Sequence, residues 1–443
     1  MNSIADRTAA ALDRAAVADG VAILAVSGGP DSLVLLETMV GLASTRGLEL
    51  VVAHFDHGIH PDSAAVAERC ARHAARHGLP FELGRGDLGP ACGETRARAA
   101  RLRWLESVRT TRGARWILTA HHQDDQVETV LMRFLRGSGP AGLAGIAERR
   151  GPWLRPLLTV THQELLAQAA HLDPPAWTDP SNLDSRHLRG WLRSTVLPLL
   201  EARLPAVRPQ LLRTRAASAE ERQAWDELLT RTDALEYRSD RGGGSVAAVP
   251  LSGYSSAVLR ALVRALGRRA GLTLGRGQVA RVQALLAKGS TGRMVDLSGG
   301  AVAALEFGRL RLFRPAAHPT DYRAALPCGA GSSAVAGWRF DLTPEPAPER
   351  IPRGGWTTWV APTASLAVRP WREGDRIRPI RGRGSRLVVR CMQDGKVPRH
   401  DRPGWPVLET DTEVVWVPGV CRSGALAPEP GADALRIDAD PSS

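Results

Sequence analysis

Val21-Ala22-Ile23-Leu24-Ala25-Val26-Ser27-Gly28-Gly29-Pro30-Asp31-Ser32-Leu33 is the stretch that decides how this chain is read. Six apolar residues in a row predict a strand buried on both faces. Two glycines and a proline follow, and Asp31-Ser32-Leu33 opens a helix. Glycine lets backbone amides approach a ligand closely, and a helix start adds unpaired donors and positive dipole. The stretch therefore predicts a phosphate or pyrophosphate site. No lysine follows the glycines, which excludes the Gly-Lys-Ser/Thr nucleotide loop, and the spacing is not GxGxxG. Ser27 and Ser32 offer hydroxyls to a phosphate. Asp31 would repel one unless a cation lay between them, so Mg²⁺ held by Asp31 is expected.

Working outward, apolar runs at 48–55, 81–83 and 115–120 read as strands. Helical patterns cover 9–18, 33–43, 63–77, 95–111 and 124–136. Strands spaced by helices predict an α/β domain with a parallel sheet, whose ligands sit at the carboxyl ends of the strands. Three segments then share one edge: the glycine loop, His54-Phe55-Asp56-His57-Gly58, and Thr119-Ala120-His121-His122-Gln123-Asp124-Asp125-Gln126-Val127-Glu128-Thr129. His54, Asp56 and His57 are candidates for base, ribose or metal contact; a polar strand exit closed by Gly58 is the plain alternative. Asp125 and Glu128 are three apart and share a helix face. With His121 and His122 they can bind a metal or a cationic substrate, although Asp124 or Asp125 can equally cap the helix. A zinc site would need a further well-placed ligand.

Downstream, prolines punctuate 151–205. Asp179-Pro180-Ser181-Asn182-Leu183-Asp184 precedes Arg189 and Arg193, whose i,i+4 spacing lets two guanidiniums hold a phosphate. The helix after Glu94 carries Arg96, Arg98, Arg101, Arg103 and Arg109, an RNA-backbone candidate or a solvated face. Residues 206–300 read mostly helical, with a glycine-rich break at 241–244, and short strands begin near Met294. Thr343-Pro344-Glu345-Pro346-Ala347-Pro348 reads as a loop or linker. The expected division is a catalytic domain over 1–205, a mainly helical middle domain over 206–320 and a small mixed α+β domain over 321–443.

The 443 residues carry 58 basic and 46 acidic side chains, a net charge of +12, and only Lys288 and Lys396 are lysines. Such an excess favours a polyanionic partner, because neutralised phosphates release counterions. The five cysteines form no CxxC, which argues against a zinc ribbon, an iron–sulfur cluster or a redox dithiol. No stretch approaches the roughly 20 apolar residues of a membrane span. The N-terminus lacks a basic segment followed by an apolar core, so a cytoplasmic protein without a membrane partner is expected.

Several segments together resemble the tRNA(Ile)-lysidine synthase family of the PP-loop ATP pyrophosphatase group. They are SGGPDS at 27–32, HFDHGIHPDS at 54–63, GETRARAARLRWL at 93–105, TAHHQDDQVETVLMRFLRGSGPAGLAGI at 119–146, RPLL at 155–158 and DPSNLDSRHLRGWLRSTVLPLL at 179–200. WREGDRIRPI at 371–380 and KVPRHDRPGWPVLE at 396–409 resemble the family's last domain. The resemblance implies a parallel-sheet PP-loop domain of the adenine nucleotide alpha hydrolase type. It implies ATP and Mg²⁺ as cofactors, and L-lysine and a CAU-anticodon tRNA(Ile) as partners, with the protein a monomer or a homodimer. ATP would adenylate O2 of the wobble cytidine, and the lysine ε-amine would then displace AMP at C2. The product, lysidine, changes codon reading from AUG to AUA. On these positions the catalytic group is Asp31, His122, Asp125, Glu128, Arg189 and Arg193. The nucleotide group is Ser27, Gly28, Gly29, Pro30, Asp31, Ser32, His54, Asp56 and His121. Two departures stand out: Gly190 replaces the family's usual Asn, and Arg381, Arg383, Arg386 and Arg390 replace its lysines. The alternatives are a PP-loop tRNA thiolase, for which the paired cysteines are lacking, and a non-enzymatic RNA-binding protein.

Overall fold

The computed structural model describes residues 3–58, 62–86, 89, 93–177, 188–240, 242–315, 319–362, 365–382 and 384–440. The segment 179–184 singled out above lies outside them, as do Cys92, Arg241 and Arg383. The chain forms two compact units, Met1–Ala224 and Trp225–Ser443.

The first unit opens with α1 (Ile4–Arg14), which starts earlier than its apolar periodicity indicates. Its start is set by a capping box: Asp6 N donates to Ser3 Oγ and Ser3 N donates to Asp6 Oδ2. There follow β1 (Gly20–Ala25), α2 (Pro30–Ala43), β2 (Leu48–Asp56), α3 (Ser63–Arg76), β3 (Phe81–Arg85), α4 (Glu94–Thr111), β4 (Trp116–Leu118) and α5 (Gln123–Leu135). Then come α6 (Pro140–Leu143), β5 (Arg149–Arg150), β6 (Trp153–Leu154), α7 (His162–Ala169), α8 (Leu188–Trp191) and α9 (Leu197–Arg203). Between α8 and α9, Leu192–Val196 forms one wide π-type turn. Pro198 follows it and has no N–H to continue an ordinary ladder.

The sheet runs β3-β2-β1-β4-β6-β5, parallel except for the edge pairing of β5 with β6. Chain order reverses direction between β1 and β4, and ligands of open parallel sheets bind at such a switch point. The glycine loop follows β1 and the His-rich segment follows β4, so the topology brings both to that crevice. Ala22, Leu24, Leu33, Leu35, Leu36 and Met39 are fully buried in the core between β1 and α2. The other face packs Ile23, Val51 and Ile117 against Leu105 and Val108 of α4. Each buried Leu, Val or Ile contributes about 1.5–3 kcal/mol, so β1 and α2 form a rigid base for the loop between them.

In the second unit the helices Ser256–Arg269 and Arg276–Ala287 pack on an antiparallel sheet built from 238–240, 243–247, 293–296, 302–306 and 309–313. The glycine-rich break expected at 241–244 is partly a strand. Gly243 pairs with Phe313, and a Cβ there would overlap the Leu312 carbonyl, so only glycine fits. Further on, two antiparallel sheets enclose Trp338, Phe340, Val368, Leu408, Trp416 and Ile437. The proline-rich 343–348 is not a linker: Trp338–Pro346 is one strand, paired along its length with Asp433–Asp440. On its other side Gly331–Val335 covers only Trp338–Leu342. Pro344 and Pro346 therefore stand on a free edge, the place in a sheet that tolerates a missing N–H.

Candidate active site at the sheet edge

The loop is shaped by its own hydroxyls. Ser32 Oγ donates to Gly29 O at 2.9 Å and accepts Ser27 N at 3.1 Å, with Ser27 Oγ at 3.2 Å. Ser32 is therefore committed to the turn, and the ligand-facing donors are the first-turn amides of α2, whose N-cap Gly29 makes no side-chain cap. Gly28 has φ +86°, and a Cβ on it would lie 2.7 Å from Val66 Cγ1. Trp177 N donates to Gly28 O at 3.0 Å and closes the loop from above. His54 braces the loop from behind, its Nδ1 lying 2.8 Å from Val26 O, and burial holds its pKa below the usual imidazole value. Asp56 accepts Gly58 N at 2.8 Å and shapes the exit of β2. Among the described residues neither His54 nor Asp56 hydrogen-bonds to the groups around Asp31.

Asp31 sits on the first turn of α2 between two imidazoles. His162 Nδ1 is 3.0 Å from Asp31 Oδ1, and His122 Nε2 is 3.6 Å from Asp31 Oδ2. The two rings stack at 5.1 Å between centroids. The hydrogen bond to Asp31 raises the His162 pKa against the opposing effect of burial. The sequence reading missed His162. It stands at the first position of a short helix, forty residues from His122, inside a Thr161–Glu164 capping box that any helix could carry.

Beside this lies an ionic cluster. Arg189 Nη2 donates to Asp125 Oδ1 at 2.7 Å and its Nε to Glu128 Oε2 at 2.6 Å. Arg193 Nε donates to Glu128 Oε1 at 2.5 Å. Arg208 Nη1 reaches Asp124 Oδ1 at 2.5 Å. Glu128 is 1% exposed, and the two guanidiniums pair both of its oxygens. Burial raises the Asp125 pKa, but the charges of His122 and Arg189 and the His122 amide outweigh it, and the carboxyl stays below its ordinary value. The four residues that sequence spacing placed together as two pairs, Asp125 with Glu128 and Arg189 with Arg193, thus form one neutral quartet.

Arg98 and Arg155 bring positive charge near His121, and Arg101 brings it near His57. Burial holds the Arg101 pKa down, Arg98 adds to this, and Arg101 Nε is buried without a hydrogen-bond partner. Burial, with Arg98 and Arg150, lowers Arg155 to about 10. Burial also pushes the His121 pKa down, with Asp125 opposing and Arg155, Arg98 and Arg189 reinforcing, so its imidazole is neutral at pH 7. Its Nδ1 lies 2.8 Å from Thr119 Oγ1. No carboxylate among the described residues pairs with Arg98, Arg101 or Arg155; Arg155 Nη1 donates to Ala147 O at 3.0 Å.

The sequence matches the family described as PP-loop domain over residues 2–200 and the one described as TilS substrate C-terminal domain over 366–439. The tRNA(Ile)-lysidine synthase of Symbiobacterium thermophilum is 35% identical over 94% of this chain and 93% of its own. This chain belongs to the tRNA(Ile)-lysidine synthase family. The synthase of Solibacter usitatus is 33% identical over 92% of this chain and 95% of its own. A crystallised TilS C-terminal domain is similar at 25% identity with a TM-score of 0.24, covering 27% of this chain and 95% of that one. Ser27–Ser32 and α5 lie within the first of these matched ranges, and the strands from Ala367 onward begin within the second.

Proposed function

We propose that this protein ligates L-lysine to C2 of the wobble cytidine in a CAU-anticodon tRNA(Ile), using ATP and forming AMP and pyrophosphate. The observation that carries the reading is the neutral quartet Asp125–Glu128–Arg189–Arg193, set directly beside the phosphate loop in a chain of this family. A phosphate loop alone suits any adenylating enzyme. A buried carboxylate pair next to it suits one whose second substrate is an ammonium.

The first step forms a bond from cytidine O2 to the ATP α-phosphorus and releases pyrophosphate. The amides of the loop and of the first turn of α2 face the departing phosphates. Arg98, Arg101 and Arg155 supply charge that pairs with no carboxylate among the described residues. Asp31 fits a cation, since no guanidinium among the described residues pairs with it; Mg²⁺ held there would offset the pyrophosphate charge.

In the second step the lysine ε-amine attacks C2, the C2–O2 bond breaks, and AMP leaves carrying O2. The ammonium binds at Asp125 and Glu128 and competes with Arg189 and Arg193 for their oxygens. One ammonium added to the neutral quartet leaves a single positive charge, which matches the adenylate phosphate. Asp125, Glu128 or His122 takes the proton that the amine must lose before attack. The target base lies in a single-stranded loop, so presenting it costs little. The basic second unit then grips the tRNA.

Purified protein given ATP, labelled lysine and CAU-anticodon tRNA should place the label in the tRNA. Label that stays free while ATP is consumed with another acceptor overturns the substrate assignment. Asp31→Ala should abolish pyrophosphate release and leave tRNA binding intact; unchanged turnover would remove Asp31 from the chemistry.

A further inference from the structure

Asp31, His122 and His162 bring one carboxylate oxygen and two imidazole nitrogens within 4.8 Å of one another. We propose that these three side chains form a site for a divalent transition metal in the nucleotide-free protein. The inference rests on the reading of Asp31 as a cation ligand and changes which cation it takes.

Three observations carry it. The first is geometric: both imidazoles turn a nitrogen toward the same carboxylate, at 3.0 and 3.6 Å, while their rings stack nearly parallel at 23°. The second is an orphaned group. His122 is 5% exposed, and its Nε2 lies 3.6 Å from both Asp31 Oδ2 and Asp125 Oδ2 without a hydrogen bond to either, so an ion placed there would complete it. The third is charge. Asp31, Asp124, Asp125, Glu128 and Glu201 outnumber Arg189, Arg193 and Arg208 by five to three, and no guanidinium among the described residues makes an ion pair with Asp31.

The donor set decides the class of metal. Mg²⁺ favours an all-oxygen octahedron, whereas imidazole suits zinc, copper, iron and nickel. Three protein ligands leave a position open, as in sites that bind a further oxygen ligand. The backbone of both histidines is held: His162 N donates to Asp124 Oδ2 at 2.8 Å and His122 N to Asp125 Oδ2 at 2.9 Å. With His122 engaged by the metal, the lysine proton passes to Asp125 or Glu128.

Co²⁺ titrated into the full-length protein without ATP, lysine or tRNA reads the site directly through its visible absorption. One equivalent should bind with imidazole-type bands, Zn²⁺ should displace it, and a large excess of Mg²⁺ should not. His162→Ala should weaken Co²⁺ binding by at least about tenfold, as should the milder His162→Gln, with both variants melting near the parent temperature. Absence of stoichiometric binding, equal binding by folded His162 variants, or displacement by Mg²⁺ as readily as by Zn²⁺ would overturn the proposal. No substrate enters this titration, so its outcome is independent of whether lysine is transferred to tRNA.

Discussion

Two arginine clusters, one in each unit, show how the same side chain serves different ends. In the second unit Arg369 is 6% exposed and fully matched: its Nη1 and Nη2 donate to Asp375 at 2.7 and 3.0 Å, and its Nε to Glu409 at 2.5 Å. Burial opposes its charge, but those hydrogen bonds win and the pKa rises. In the first unit Arg101 is half-buried beside Arg98, has no carboxylate among the described residues, and its pKa falls. A matched buried cation fixes shape. An unmatched one leaves a positive charge that an anion from outside can take up.

The largest effect should come from the matched cluster. Arg369→Ala leaves Asp375 poorly solvated without its guanidinium and Glu409 with only the exposed Arg323, and should cost about 3–5 kcal/mol of stability, read from urea unfolding of the full chain. A loss well under 1 kcal/mol would erase the distinction between the clusters. Arg101→Ala should do the reverse: lysidine formation should fall roughly 10²- to 10³-fold, while the melting temperature holds or rises. A variant that unfolds easily but turns over normally would make Arg101 a structural residue. The smallest effect concerns a matched pair near the surface. Arg7 donates to Glu164 at 2.6 Å, and with the Thr161 contacts lowers the Glu164 pKa to about 2. A lowered carboxyl pKa stabilises the fold above its unfolded value of about 4.3 and that contribution fades as pH falls toward 2. Glu164→Gln should therefore flatten the acid side of the stability profile between those values, and an unchanged slope would remove the pair from the fold's acid response.

The comparison also explains what the sequence reveals. The order of strands and helices through residue 135 is legible, because apolar runs and glycine punctuation report backbone geometry locally. Pairings across a long separation are not. Asp125 and Glu128 are readable as one helix face, but their occupation by Arg189 and Arg193 depends on a return of the chain some sixty residues later. Arg98 and Arg101 read as one basic face, and nothing in their spacing tells that Arg101 Nε is buried. His162 carries no motif at all; only the β4–β6 pairing that precedes it brings it to Asp31. The strand Trp338–Pro346 is hidden for the opposite reason, since its prolines speak against a ladder that exists on only one side.

The wide turn at Leu192–Val196 has one more consequence. An α-helix advances about 100° per residue, so a turn that holds an extra residue sets the angular phase of all that follows. Ahead of it, Arg189 meets Asp125 and Glu128. Beyond it, Glu201 meets Arg208, which in turn holds Asp124. That single residue keeps two separate stretches of chain in phase with α5. Losing it would swing α9 by nearly a third of a circle, and the carboxylates of α5 would keep their first set of arginines while losing the last.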